Sequence, residues 1–176
     1  MSELQLSKLD VAKRQVECAI HIYFNFGDAI SIHTLSAAAR NILANLCNHK
    51  DLSHPIQIES MLNELVDPIH HKEFINKLRE PENFFKHADK DPDRLLKFNP
   101  EFSELWLLQC IEMYSLITSE HPPVMRAYRG WWVMHHQELM LKPPPPFDNP
   151  SIGRPYAKHE RIVYYSDIMS AFARTG

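Results

Sequence analysis

Between residues 26 and 47, hydrophobic side chains recur every three or four positions, and polar side chains occupy most of the positions between them. The recurring hydrophobic residues are Ile32, Leu35, Ala39, Ile42 and Leu46. This spacing puts them on one face of a helix, and it therefore predicts a helix that buries that face in a core. The polar positions of the same helix are His33, Thr34, Arg40 and Asn41.

This helix has the features of a central element. The alanines at 37–39 are small, so a neighbouring helix can approach closely. Asp28 or Ser31 can accept a hydrogen bond from a backbone N–H of the first turn, which would define where the helix begins. We therefore expect this helix to lie near the middle of a bundle.

Helical spacing of hydrophobic residues recurs along most of the chain, whereas no segment alternates with the period of a strand. A run of four prolines at Pro143 to Pro146 ends one helix and favours a stiff, extended spacer at 143–150. We expect one all-α domain over 1–176, with a last helix that packs back on the bundle. The predicted helices cover residues 9–26, 26–47, 55–66, 69–78, 102–118, 124–141 and 160–174.

Composition and charge narrow the class of protein. Hydrophobic residues make up 44% of the chain and charged residues 23%, which is typical of a globular protein rather than a disordered one. The net charge of −3 shows no basic excess of the kind that favours nucleic-acid binding. Because the chain has no hydrophobic run long enough for a membrane span and no secretory signal, we expect a cytoplasmic protein with no membrane partner. Cys18, Cys47 and Cys110 are widely spaced, and we interpret them as buried free thiols.

Several kinds of active site have no motif here. Four dispersed glycines cannot form a phosphate-binding loop or a dinucleotide fingerprint. Neither zinc-finger cysteine pairs nor the glutamate and histidine pattern of di-iron bundles occurs, so the motifs indicate no cofactor and no metal ligands. A metal site assembled in space stays open as a weaker alternative, from His70, His71, His135 and His136.

The segment NFFKHADKDPD, residues 83–93, carries candidate binding chemistry. Asn83 and His87 are four residues apart, so they share one face if the segment is helical, and Lys86 lies beside them. The alternative is a loop whose aspartates, Asp89 among them, cap a turn.

Arg129 is followed by GWWVM and then by His135, so an arginine precedes a histidine at short spacing. In this respect the chain resembles the HEPN superfamily of helical-bundle proteins, many of which cleave RNA. The resemblance implies that a histidine moves a ribose proton while an arginine stabilises a charged phosphorane. It gives His87 and His135 as candidate acid/base residues and Arg129 or Lys86 as phosphate partners. Arg14 with His21 and Arg154 with His159 have similar spacings.

Two longer strings, GDAISIHTLSAAARNIL and NFFKHADKDPD, resemble segments of an uncharacterised group of bacterial all-helical proteins. This resemblance implies a shared helical fold over about the first hundred residues. It also gives a set of polar positions: Asp28, His33, Asn83, Lys86, His87 and Asp89.

Three functions therefore stay open. The first is a HEPN-like protein that binds or cleaves RNA. The second is a non-enzymatic interaction module, homodimeric, in which Trp131, Trp132 and the proline run form part of the contact surface. The third is a bundle that binds a small ligand or a metal. A cleft that joins His33, Asn83, Lys86 and His87 would favour chemistry or ligand binding.

Overall fold

The computed structural model describes residues 3–52, 68–87, 91–136 and 156–175. Within these ranges it contains six α-helices and no β-strand, which confirms the predicted all-α bundle. Short 3-10 turns at Pro68–His70 and Lys158–Glu160 precede the third and sixth helices. The helices are α1 (Lys8–Phe24), α2 (Ala29–His49), α3 (His71–Lys86), α4 (Glu101–Thr118), α5 (Pro123–His135) and α6 (Arg161–Thr175).

Helix α2 lies between α1, α3 and α4, as its alanines and its hydrophobic stripe predict. Ala37 and Ala39 are fully buried, and so is Leu43 one turn further on. Small side chains at these positions let α1 and α4 approach the α2 backbone closely, which increases the number of dispersion contacts per unit length.

A tight turn joins α1 to α2. The N–H of Gly27 donates to the Ile22 carbonyl at 2.9 Å, and the N–H of Phe26 donates to the Tyr23 carbonyl at 3.2 Å. This pattern closes the end of α1 and holds Phe26 at a φ of 53°, in the left-handed region. Asp28 then caps α2 by accepting from the Ser31 N–H at 2.7 Å, so the structure selects the first of the two caps that the sequence offers.

Helix α3 is longer than its predicted span of 69–78, because it continues through Pro81 and takes in the residues Asn83 to Lys86. A proline in a helix interior removes one backbone hydrogen bond, and this is why the sequence indicates an earlier end. Here Pro81 is buried, and Trp106 of α4 packs against Ile75 and Leu78 of α3. Tertiary packing therefore outweighs the missing hydrogen bond.

Helices α5 and α6 complete the core. Trp131 and Trp132 are only 2% and 7% exposed, so these two side chains belong to the core rather than to the contact surface that the interaction-module hypothesis assigns them. The indole N–H of Trp131 donates to the Tyr23 hydroxyl at 3.0 Å. Helix α6 packs back on the bundle as predicted, since the Tyr164 hydroxyl donates to the Ala127 carbonyl at 2.9 Å.

Other predictions have mixed outcomes. Cys47 and Cys110 are buried free thiols, but Cys18 is exposed, so the interpretation is wrong for that residue. Among the described helices, none combines the length and hydrophobicity that spanning a bilayer requires. The predicted helix over 55–66, the spacer at 143–150 and Asp89 lie outside the described residues.

Candidate functional site

An open groove of about 780 Å³ runs along α3. Nine residues line the groove. Seven of them follow one another at helical spacing, so they lie on one face of α3 or just beyond its end. The other two come from the segment 91–94. The residues of α3 and its end are Glu73, Asn76, Lys77, Glu80, Asn83, Phe84 and His87, and those of the segment are Asp91 and Arg94.

Arg94 holds the segment 91–94 against α3. Its guanidinium pairs with the Glu80 carboxylate of α3 and with the Asp91 carboxylate at 3.4 Å. The same guanidinium lies over the Phe84 ring, 6.0 Å from the ring centroid. Arg94 thus connects α3 with the segment 91–94, and both Asp91 and Arg94 of that segment line the groove.

Asn83 and His87 both line this groove and both are exposed. The backbone N–H of His87 donates to the Asn83 carbonyl at 3.1 Å, so the histidine closes the last turn of α3. Their four-residue spacing thus brings them together through helix geometry, as the sequence indicates. The amide side chain of Asn76 lies two turns earlier on the same face.

His33 does not line the groove. It is fully buried, and its Nδ1 lies 3.2 Å from the Ser103 hydroxyl of α4. The rings of Phe85, Phe98 and Trp106 meet it edge-on at centroid distances of 5.1 to 6.0 Å. The groove therefore does not join His33 with Asn83 and His87, because His33 belongs to the core, and the arrangement that would favour chemistry at these residues is not formed.

The surroundings of His33 set its protonation state. Burial lowers its pKa to about 4, with Glu82 acting to raise the pKa and Lys86 to lower it. Its Nε2 is buried with no hydrogen-bond partner among the described residues. If the neutral ring carries its proton on Nδ1 and donates it to Ser103, Nε2 has only a lone pair without a partner. The free-energy cost of a buried lone pair is lower than that of a buried N–H without an acceptor.

Lys86 belongs to a second polar cluster between α2 and α3. Its ammonium pairs with Glu82 at 2.5 Å, and the Asn41 amide donates to the same carboxylate oxygen at 2.8 Å. Glu82 is only 7% exposed. The hydrogen bond from Asn41 to Glu82 thus joins the two helices, while Lys86 pairs with Glu82 on its own helix and is absent from the lining of the groove.

Arg40 is another buried charge that the sequence pattern does not single out. It is 3% exposed, its Nε donates to the Gln109 side chain at 2.9 Å, and its guanidinium lies 4.4 Å from the centre of the Trp106 ring. The sequence nevertheless contains a pattern that could have indicated the burial of Arg40. His33, Ser36 and Arg40 follow one another at helical spacing, beside the buried Ala37, and so form a mixed polar stripe.

Arg129 and His135 have different environments on α5. Arg129 is exposed and its Nε donates to Glu112 of α4 at 2.6 Å. His135 is half-buried, packs 4.1 Å from the Trp131 ring centre and has a buried Nε2 without a partner among the described residues. Burial, with help from the positive charge of Lys158, lowers its pKa. Six helical residues correspond to about 600° of rotation, so the two side chains start about 120° apart around the axis.

The remaining histidines do not form a metal site in the part of the chain that the structure describes. Within it, no group of three or more histidine, cysteine or acidic side chains has a geometry that could hold an ion. His136 instead pairs with Glu104 at 3.2 Å and stacks on the Trp132 ring at 4.7 Å. These contacts are those of core packing.

Comparison of the chain with known protein families, with characterised proteins and with solved structures found no match. The resemblance to HEPN proteins and to a group of bacterial helical proteins therefore stays a prediction.

Proposed function

We propose that the protein is a non-enzymatic interaction module that holds an extended segment of a partner polypeptide in the groove along α3. The observation that carries the proposal is the length of the groove. Its lining runs from Glu73 to His87, which at 1.5 Å per residue is about 21 Å. An extended chain of about six residues has this length, whereas a single small metabolite would occupy a fraction of it.

The side chains in the groove suit a polypeptide. The amides of Asn76 and Asn83 each offer a donor and an acceptor, which is the pair of groups that a peptide unit requires. Phe84 adds a half-buried hydrophobic surface between them and the segment 91–94. Backbone hydrogen bonds to asparagines with one aromatic contact would hold an extended segment without dependence on its full sequence.

Charge argues against a polyanion as the occupant. Both basic residues that line the groove are paired with carboxylates, Lys77 with Glu73 at 3.0 Å and Arg94 with Glu80 and Asp91. A protein binds nucleic acid mainly through lysine and arginine side chains that neutralise phosphates. In this groove carboxylates already pair with these cations and would repel the phosphates. RNA binding is thus the less supported of the two macromolecular options.

The positions of the histidines also favour binding over catalysis. Acid/base chemistry on RNA needs a histidine and a cation at one reacting atom. Arg129 and His135, the pair of the HEPN-like pattern, start about 120° apart around the axis of α5, and Arg129 is paired with Glu112. His87 lies in the groove, where both lysine and arginine neighbours are paired with carboxylates.

The proposal is tested by selecting a displayed library of random heptapeptides on the protein and titrating synthetic versions of the selected peptides into isotope-labelled protein. We expect amide resonances of Asn76, Asn83 and Phe84 to shift. The double variant N76A/N83A should weaken binding about tenfold, because it removes two side-chain hydrogen bonds of ordinary strength. Asn45→Ala, an exposed asparagine of α2, is the matched control and should leave affinity unchanged.

Two outcomes would overturn the proposal. One is that no selected peptide shifts a groove resonance. The other is that a short single-stranded RNA of mixed sequence binds in the groove and is cleaved in a reaction that His87→Ala abolishes, in which case the HEPN-like function replaces ours. Sedimentation equilibrium on the same samples reports the predicted homodimer separately.

A further inference from the structure

The contacts of Arg94 leave the groove with an uncompensated negative charge. One guanidinium serves two carboxylates, those of Glu80 and Asp91. Because an arginine carries a single positive charge, this group of three side chains has a net charge of −1. The nearest other charged pair in the lining, Lys77 with Glu73, is balanced.

This excess charge is accessible to a partner. The side chains of Glu80, Asp91 and Arg94 are 38%, 43% and 43% exposed. Arg94 lies over the Phe84 ring, and the face of such a ring attracts a cation while its carbon surface packs against a hydrophobic stem. A lysine or arginine side chain matches both features, since it combines an apolar stem with a terminal charge.

We infer that the groove selects a partner segment with a lysine or arginine side chain seated against Glu80, Asp91 and Phe84. This inference rests on the proposed function and names the chemistry of its partner. The incoming cation neutralises the carboxylate that Arg94 leaves unbalanced, while the rest of the segment lies along α3 toward Asn76. A glutamate at the same position of the segment would be repelled by the same charge.

The experiment compares peptides that differ at one basic position. A selected peptide and its Lys→Gln and Lys→Glu versions are titrated into the wild-type protein. We expect the lysine version to bind roughly fivefold more tightly than the glutamine version, as befits an ion pair at a partly exposed site, and the glutamate version more weakly still. The ratio should decrease at high salt, because the charges are open to screening by ions.

Variants of the protein then test which side chains cause the preference for lysine over glutamine in the peptide. Glu80→Gln and Asp91→Asn each leave Arg94 with one carboxylate and make the group neutral, so the lysine-to-glutamine ratio should fall to about one. Glu73→Gln is the matched control, since it removes the same charge from the same groove about 10 Å from Glu80. The control should keep the fivefold ratio. Thermal melting of each variant verifies that the fold is retained.

The outcomes separate this inference from the proposed function. If peptides bind in the groove but lysine and glutamine versions bind equally, the inference fails and the proposed function stands. The same conclusion follows if Glu73→Gln lowers the ratio as much as Glu80→Gln does, because net charge alone would then explain the preference. If no peptide binds in the groove, both are overturned.

Discussion

At the scale of single residues, His33 shows how burial turns a titratable side chain into a structural one. Aromatic rings surround it, and its Nδ1 lies 3.2 Å from the Ser103 hydroxyl, its hydrogen-bond partner. The protonated form would place a charge where only Glu82 offers compensation, and the pKa accordingly decreases to about 4. In the unfolded chain the side chain is in water and has the ordinary histidine pKa of 6.5.

This difference predicts how stability depends on pH. Since the folded pKa lies below the unfolded one, the stabilisation is complete above about pH 6.5 and is lost as the pH decreases toward 4. The loss should reach about 3 kcal/mol, from 1.4 kcal/mol per unit of pKa difference. Urea unfolding of the wild type and of His33→Gln at several pH values measures it, and the variant should have a flatter profile between pH 6.5 and 4. His87→Gln, at an exposed histidine, is the control, and equal slopes in His33→Gln and the wild type would contradict the expectation.

At the scale of elements, the turn between α1 and α2 depends on the absence of a side chain. A Cβ on Gly27 would overlap the Ile22 side chain, which lies against the glycine where its N–H reaches back to the Ile22 carbonyl. Phe26 occupies the left-handed position before it, where glycine is usual, and its ring is covered by the Arg161 guanidinium at 3.8 Å. Contacts with α6 thus help to hold a turn between two other helices.

Gly27→Ala should therefore destabilise the protein by about 1–3 kcal/mol, the usual cost of forcing an extra methyl group into a packed site. Thermal or urea unfolding measures this effect. The double variant Gly27→Ala/Ile22→Ala tests the reason, because shortening Ile22 removes the overlap and should reduce the additional cost of the alanine. If the cost of Gly27→Ala is the same in both backgrounds, the overlap is not its cause.

At the scale of the whole molecule, the tryptophans lie in two regions of the bundle, and their fluorescence can follow the unfolding of each region. Trp106 lies where α4 meets α2 and α3, whereas Trp131 and Trp132 lie where α5 meets α1 and α6. Helix α2 contacts both α1 and α4 and so links these regions. A cooperative single domain requires that both regions lose their structure together.

This requirement can be tested through α6. Tyr164 is buried, and its replacement by alanine should cost about 3–5 kcal/mol through the lost hydrogen bond and the cavity. Ile162→Ala, at an exposed position of the same helix, should change stability by less than about 0.5 kcal/mol. In variants that keep only Trp106 or only Trp131, fluorescence should then show the same shift of the urea midpoint with Tyr164→Ala. A shift confined to the Trp131 signal would divide the chain into two units.

The sequence alone determined the helical class and the central place of α2. It limited the cap of α2 to Asp28 or Ser31, and it placed Asn83 and His87 on one face on the condition that their segment is helical. These features depend on neighbours within about four residues, whose periodicity and capping chemistry are visible in the chain. Only the tertiary structure decided that His33 and Arg40 are buried and that Arg94 completes a groove with Glu80. The partners of His33 and Arg40 on α4, Ser103 and Gln109, are 70 and 69 residues away. Helix periodicity identifies the face of a side chain, but what covers that face depends on contacts between distant segments.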